Sequence, residues 1–97
     1  MITIDEAKKI LQQHKLILRE RFRVESIGVF GSFTRGEQKE GSDLDLLVEF
    51  SHPVGFFTFL ELEEYLVNKL GVGVDLVTKN ALKPGIGAVI LREVQPI

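Results

Sequence analysis

Hydrophobic positions in the first twenty residues fall at helical spacing. Ile4, Ala7, Leu11 and Leu18 trace one stripe, with His14 on the same line. The pattern predicts a helix over residues 4–20 with His14 in a structural place on its buried side. Thr3 and Glu6 have the spacing of a capping box, in which each side chain satisfies an amide at the helix start. The period then changes. Residues 24–30 are rich in β-branched and aromatic types and stop at Gly31, which predicts a strand. The polar stretch 33–41 reads as a short helical turn followed by a loop. Residues 42–50 alternate cleanly: Asp43, Asp45, Leu47 and Glu49 on one face, Leu44, Leu46, Val48 and Phe50 on the other.

A break at residues 51–55 precedes a second predicted helix, 56–70. Its apolar side carries Phe56, Phe59, Leu60, Leu66, Val67 and Leu70, and Gly71 is placed to end it. Phe56 and Phe59 are expected to face the core and Phe57 the solvent. A third strand, 72–78, sets Val72, Val74 and Leu76 against Gly73, Asp75 and Val77. After a Pro/Gly-containing connection over 79–87, residues 88–94 predict a last short helix. A helix of some fifteen residues joins the second and third strands, which suits a crossover connection. The expected fold is therefore α/β (α+β): a small mixed β-sheet with helices packed on it.

Ninety-seven residues predict a single domain, 1–97, without a separate substrate module. The hydrophobic fraction of 44% and charged fraction of 27% are those of an ordinary globular chain. A net charge of -2 argues against a nucleic-acid partner, which calls for a basic field. The charge is uneven. Residues 1–40 hold 8 Lys/Arg and 6 Asp/Glu, and residues 41–97 hold 4 and 8, so the acidic excess begins where the strand aspartates lie. No cysteine is present, which excludes disulfides and thiolate zinc sites, and two histidines are too few for a histidine-built metal site. Any bound metal should take oxygen ligands. The N-terminus lacks a basic segment followed by an apolar one, and no apolar run approaches a membrane span, so the expected location is cytoplasmic.

The candidate chemistry lies in four places. Asp43 and Asp45, at i and i+2 of a strand, share a face roughly 7 Å apart. Two carboxylates so placed repel each other, and a divalent cation removes the conflict, because Mg²⁺ binds carboxylates together with substrate phosphates. The plainer reading is two solvated aspartates at a strand end. Asp75 likewise interrupts an apolar strand and joins the pair if the third strand neighbours the second; otherwise it is an edge residue facing water. Gly31-Ser32 follows a strand and precedes a helical turn, where glycine permits close approach of a ligand and the following amides and hydroxyl can donate to phosphate. The plainer reading is an ordinary turn with a serine N-cap. Arg35 either contacts phosphate or buttresses the loop by pairing with an aspartate.

In combination, Gly31-Ser32, Arg35-Gly36 and Ser42-Asp43-Leu44-Asp45, with Asp75 on a later strand, resemble the signature of the polymerase-beta-type nucleotidyltransferase superfamily. The Arg-Gly and the serine before the first aspartate look like its minimal nucleotidyltransferase (MNT) branch, which includes antitoxins paired with HEPN-domain toxins. The resemblance implies the nucleotidyltransferase fold and a Mg²⁺-dependent transfer of AMP from ATP to a hydroxyl. It gives Asp43 and Asp45 the metals, Gly31 and Ser32 the phosphates, and Asp75 the catalytic metal and the acceptor proton. In the antitoxin branch the acceptor is a tyrosine of the HEPN-type toxin.

The small size of the chain points the same way. With no acceptor-binding domain and no basic face, the acceptor must bring its own contacts, which favours a protein. The apolar segment 86–97 offers a docking surface for such a partner or for a second copy in a homo-oligomer. Two alternatives stand beside this reading: a non-catalytic antitoxin that neutralises its toxin by binding alone, and a nucleotide-sugar glycosyltransferase using the same Asp-x-Asp pair.

Overall fold

The computed structural model describes residues 2–97. The capping box forms as expected: the Glu6 N–H donates to Thr3 Oγ1 (3.1 Å) and the Thr3 N–H to Glu6 Oε1 (3.2 Å). The helix it opens, α1 (Ile4–Gln13), is shorter than the stripe predicts. The chain turns at His14 and resumes as α2 (Lys15–Phe22). No glycine or proline marks the break. His14 Nδ1 instead shares a 2.7 Å hydrogen bond with Tyr65 Oη, a tertiary tie that no local pattern encodes. The buried stripe survives the break in Ala7, Leu11, Leu18 and Phe22. Arg23 then ends α2 in the left-handed region at φ 63°, an uncommon place for a side chain other than glycine.

Four strands follow the core pattern: β1 (Val24–Phe30), β2 (Leu44–Phe50), β3 (Val74–Thr78) and a two-residue β4 (Gln95–Pro96). The sheet order is β3-β2-β1-β4. β1 runs antiparallel to β2 and β4, while β2 and β3 are parallel. The sheet is therefore mixed, and the parallel pair is joined across the sheet by α4 (Phe56–Leu70). A short helix, α3 (Ser32–Arg35), follows β1, and a 3₁₀ turn at Lys79–Ala81 leads to α5 (Ile86–Glu93).

Leu44, Leu46 and Val48 on one face of β2 are fully buried and join Ile27 and Val29 of β1. Ala7, Leu11, Leu18, Phe22, Leu62, Leu66 and Leu70 of α1, α2 and α4 complete this core. The opposite face of β2 carries Asp45 and Glu49, half-buried, with Leu47 covered between them. On that side a Cβ placed on Gly28 would strike Val94, so the end of α5 lies close over β1.

Two expectations about α4 need correction. Phe56 does not face the core: it is 69% exposed beside Phe57 at 77%, because the buried line runs through Leu62, Leu66 and Leu70 and leaves the first turn to solvent. Leu60 is also exposed, whereas Phe59 packs against the core. On α5, Ile86, Val89 and Leu91 remain exposed. Among the described residues no helix is long and apolar enough to cross a membrane.

Candidate functional site

β2 and β3 enter the sheet in register, with Asp45 directly opposite Asp75. Residues opposed on neighbouring strands send their side chains to the same face, so the two carboxylates lie side by side. Asp43 precedes β2 by one residue and lies against the backbone of Gly73. A Cβ on Gly73 would overlap Asp43 Oδ1. The strand ladder continues here through the Leu44 N–H donating to Gly73 O at 2.8 Å. Thus all three aspartates predicted from the sequence stand at one end of the β2–β3 pair. Asp43 and Asp75 are exposed and Asp45 is half-buried. Among the described residues no three acidic or histidine side chains are already closed into a metal-sized cluster.

The electrostatics single out Asp45. Burial, followed by the negative charges of Asp75 and Asp43, pushes its carboxyl up to about 6 from an ordinary 3.8, and the positive charge of Arg35 only partly opposes this. The site therefore carries more negative charge than its surroundings balance.

Because β1 runs antiparallel to β2, its C-terminal end meets the start of β2, and Phe30 pairs with Asp45. Gly31 follows at φ 79°, ψ −151°, a conformation open to glycine but not to residues with a Cβ. Its missing side chain is also a matter of space, since a Cβ there would overlap Asp45 Oδ2. Gly31 is the N-cap of α3. Ser32, expected as the N-cap, is instead the first residue inside the helix and half-buried. Gly31, Ser32 and the aspartates thus meet at the same corner of the sheet.

Arg35, the last residue of α3, does not pair with an aspartate. It donates through Nε to Glu37 Oε1 at 2.6 Å and through Nη1 to Glu93 Oε1 at 2.5 Å. These bonds, Glu37 before Glu93, raise its already high pKa. Nothing local in the sequence of α5 signals that Glu93, at its end, returns to α3. His52, exposed and bonded to Ser51, and His14 take no part in this corner. A groove of about 440 Å³ lies elsewhere, around the C-terminal ends of β2 and β3, lined in part by His52, Phe56, Phe59 and Lys79. A second hollow, of about 500 Å³, adjoins Asp43 and is formed by residues 40–42 and 71–73.

Comparison with known proteins gives a consistent picture. The nucleotidyltransferase domain family matches residues 11–96. The protein adenylyltransferase MntA of Thermococcus cleftensis is 55% identical over 94 residues, which is 97% of this chain and 95% of its own length. A solved structure ascribed to a minimal nucleotidyltransferase superposes with a TM-score of 0.76 at 35% identity, covering 94% of this chain and 95% of that one. The fold also matches a Shewanella oneidensis MNT antitoxin complex with its tri-AMPylated HEPN toxin. There the TM-score is 0.67 at 19% identity, over 93% of this chain and 70% of the other.

Proposed function

The chain belongs to the nucleotidyltransferase domain family, and on that premise we propose that it is a protein adenylyltransferase acting as an antitoxin. It moves AMP from ATP to a hydroxyl, a tyrosine of a HEPN-type toxin. The observation that carries this reading is the in-register pairing of Asp45 with Asp75, with Asp43 beside them and Gly31 closing the corner. The name of the Thermococcus relative and the AMPylated toxin in the structurally similar complex support the choice of AMP and of a protein acceptor.

The donor set fits Mg²⁺. Three carboxylates present hard oxygen ligands on one side of the sheet, and after burial the negative charges of Asp75 and Asp43 help to raise the Asp45 carboxyl. Asp43, Asp45 and Asp75 would hold the metal, which when bound neutralises this charge and polarises phosphoryl oxygens. The other steps belong to the chain itself. β2 and β3 fix the carboxylates on rigid neighbouring strands. Gly31 lets the backbone pass close to Asp45, and the Ser32 hydroxyl and amide face the triphosphate where α3 begins. Asp75, exposed, is open to the acceptor side and takes the proton as the hydroxyl oxygen bonds to the α-phosphorus. The bond from the α-phosphorus to the bridging oxygen breaks, and pyrophosphate leaves.

The test is incubation with Mg²⁺, ATP and a HEPN toxin, followed by intact mass of the toxin. Wild type should add AMP, and D43N/D45N should not. If the double mutant still neutralises the toxin in equal stoichiometry, neutralisation is by binding alone and the enzymatic reading of the antitoxin fails.

A further inference from the structure

Glu93 is the last residue of α5, yet its carboxylate sits at the corner where Gly31 and α3 begin. Oε2 accepts the Gly31 N–H at 3.1 Å and Oε1 accepts Arg35 Nη1 at 2.5 Å. Its side chain is only 17% exposed, whereas that of Arg35 is 49% exposed. Burial opposes the charge on Glu93, but the bonds from Arg35 and Gly31 outweigh it and hold the carboxyl below its ordinary range. On the other side of the same residue, the Gly31 carbonyl accepts from the Thr34 N–H (3.0 Å) and from Thr34 Oγ1 (2.7 Å). Both peptide groups of Gly31 are therefore tied, one of them to an element distant in sequence.

This arrangement assigns the turn its donors. The Gly31 N–H is already spent on Glu93, so Gly31 serves by its missing Cβ and its left-handed φ, while Ser32 is left to face a phosphate. Arg35 is clamped between Glu93 and Glu37, which fixes where its guanidinium stands beside the turn. We infer that Glu93 is a positioning residue, pre-setting the Gly31-Ser32 turn and the Arg35 guanidinium before a nucleoside triphosphate arrives. The inference rests on the adenylyltransferase reading above.

Glu93→Gln tests it. The amide oxygen can still accept from Gly31, but the amide nitrogen cannot accept from Arg35. Direct calorimetric binding of Mg·ATP to the whole chain should weaken about tenfold, the scale of a lost charge-assisted bond, with KM rising and kcat changing less. Arg35→Gln should weaken binding similarly, and the double variant no more than the worse single, because both act through one clamp. Wild-type affinity in E93Q at an unchanged melting temperature, or effects that multiply, would overturn the inference. Should E93Q fold poorly, ¹⁵Nε relaxation of Arg35 in the nucleotide-free wild type decides: a rigid side chain supports the clamp and a mobile one refutes it. Wild type that binds no Mg·ATP at all removes the adenylyltransferase reading, whereas wild type that binds it and E93Q that binds it equally well remove only the role of Glu93.

Discussion

Replacing Asp45 with asparagine should stabilise the protein while destroying its site. In the fold the Asp45 carboxyl titrates at about 6 against an ordinary 3.8, chiefly because it is partly buried and next because Asp75 and Asp43 are negative. Two units correspond to about 3 kcal/mol. Water still reaches this half-buried group and screens it, so a figure of about 1–1.5 kcal/mol is the appropriate one. The sign follows from proton binding. Between pH 3.8 and about 6 the folded state holds more protons at Asp45 than the unfolded state does, so this group makes stability fall as pH rises through that window. The penalty is complete near pH 7.5 and absent well below the unfolded value. Asn has the same shape, fits the same space against Gly31, and carries no charge. In chelator at pH 7.5, D45N should melt about 5–10 °C above wild type, as expected for a chain of this size. At pH 4.5 the advantage should shrink to about a third. Adding Mg²⁺ should then raise the wild-type melting temperature but not that of D45N. A D45N protein that melts at or below wild type at pH 7.5, or whose advantage is the same at both pH values, would refute the reasoning.

Other substitutions separate stability from chemistry. Gly31→Ala forces a Cβ into both a left-handed φ and the Asp45 carboxylate, so thermal or urea unfolding should register a loss of about 2–4 kcal/mol. Gly73→Ala meets only the carboxylate of exposed Asp43, which can swing away; it should cost under about 1 kcal/mol in the same unfolding assay yet impair AMP transfer by displacing a proposed ligand. Leu62→Ala, at a position with no exposure in the centre of the core, should cost about 3 kcal/mol by denaturant unfolding without altering Mg·ATP affinity at temperatures where it stays folded. Because protons and cations compete for Asp45, the Mg²⁺ concentration giving half-maximal binding should rise as pH falls through about 6, about tenfold per unit below it.

Local pattern carried much of this fold. The capping box at Thr3 and Glu6, the alternation in β2 and the glycine end of α4 are all set by neighbours in sequence, and each forms as the residues predict. What was illegible depends on contacts between distant segments. His14, where α1 ends, is bonded to Tyr65, fifty-one residues away. The two-residue β4 exists only because β1 offers it an edge. Phe56 has the hydrophobicity of a core residue, but the rotation of α4 is set by Leu62, Leu66 and Leu70. At the candidate site, the Asp-x-Asp spacing was visible, whereas the alignment of Asp45 with Asp75 required the register of a parallel pair. Glu93 left no local trace at all, since its partners Gly31 and Arg35 lie on the other side of the sequence.

The central claim is that the three aspartates serve transfer of a nucleoside monophosphate, and the position of a radiolabel in ATP tests it most directly. With a HEPN toxin and Mg²⁺, label placed on the α-phosphate should appear covalently on the toxin and depend on Asp43 and Asp45, while label on the γ-phosphate should appear only in released pyrophosphate. Toxin labelled from the γ-phosphate, or labelled equally by wild type and D43N/D45N, would contradict the account.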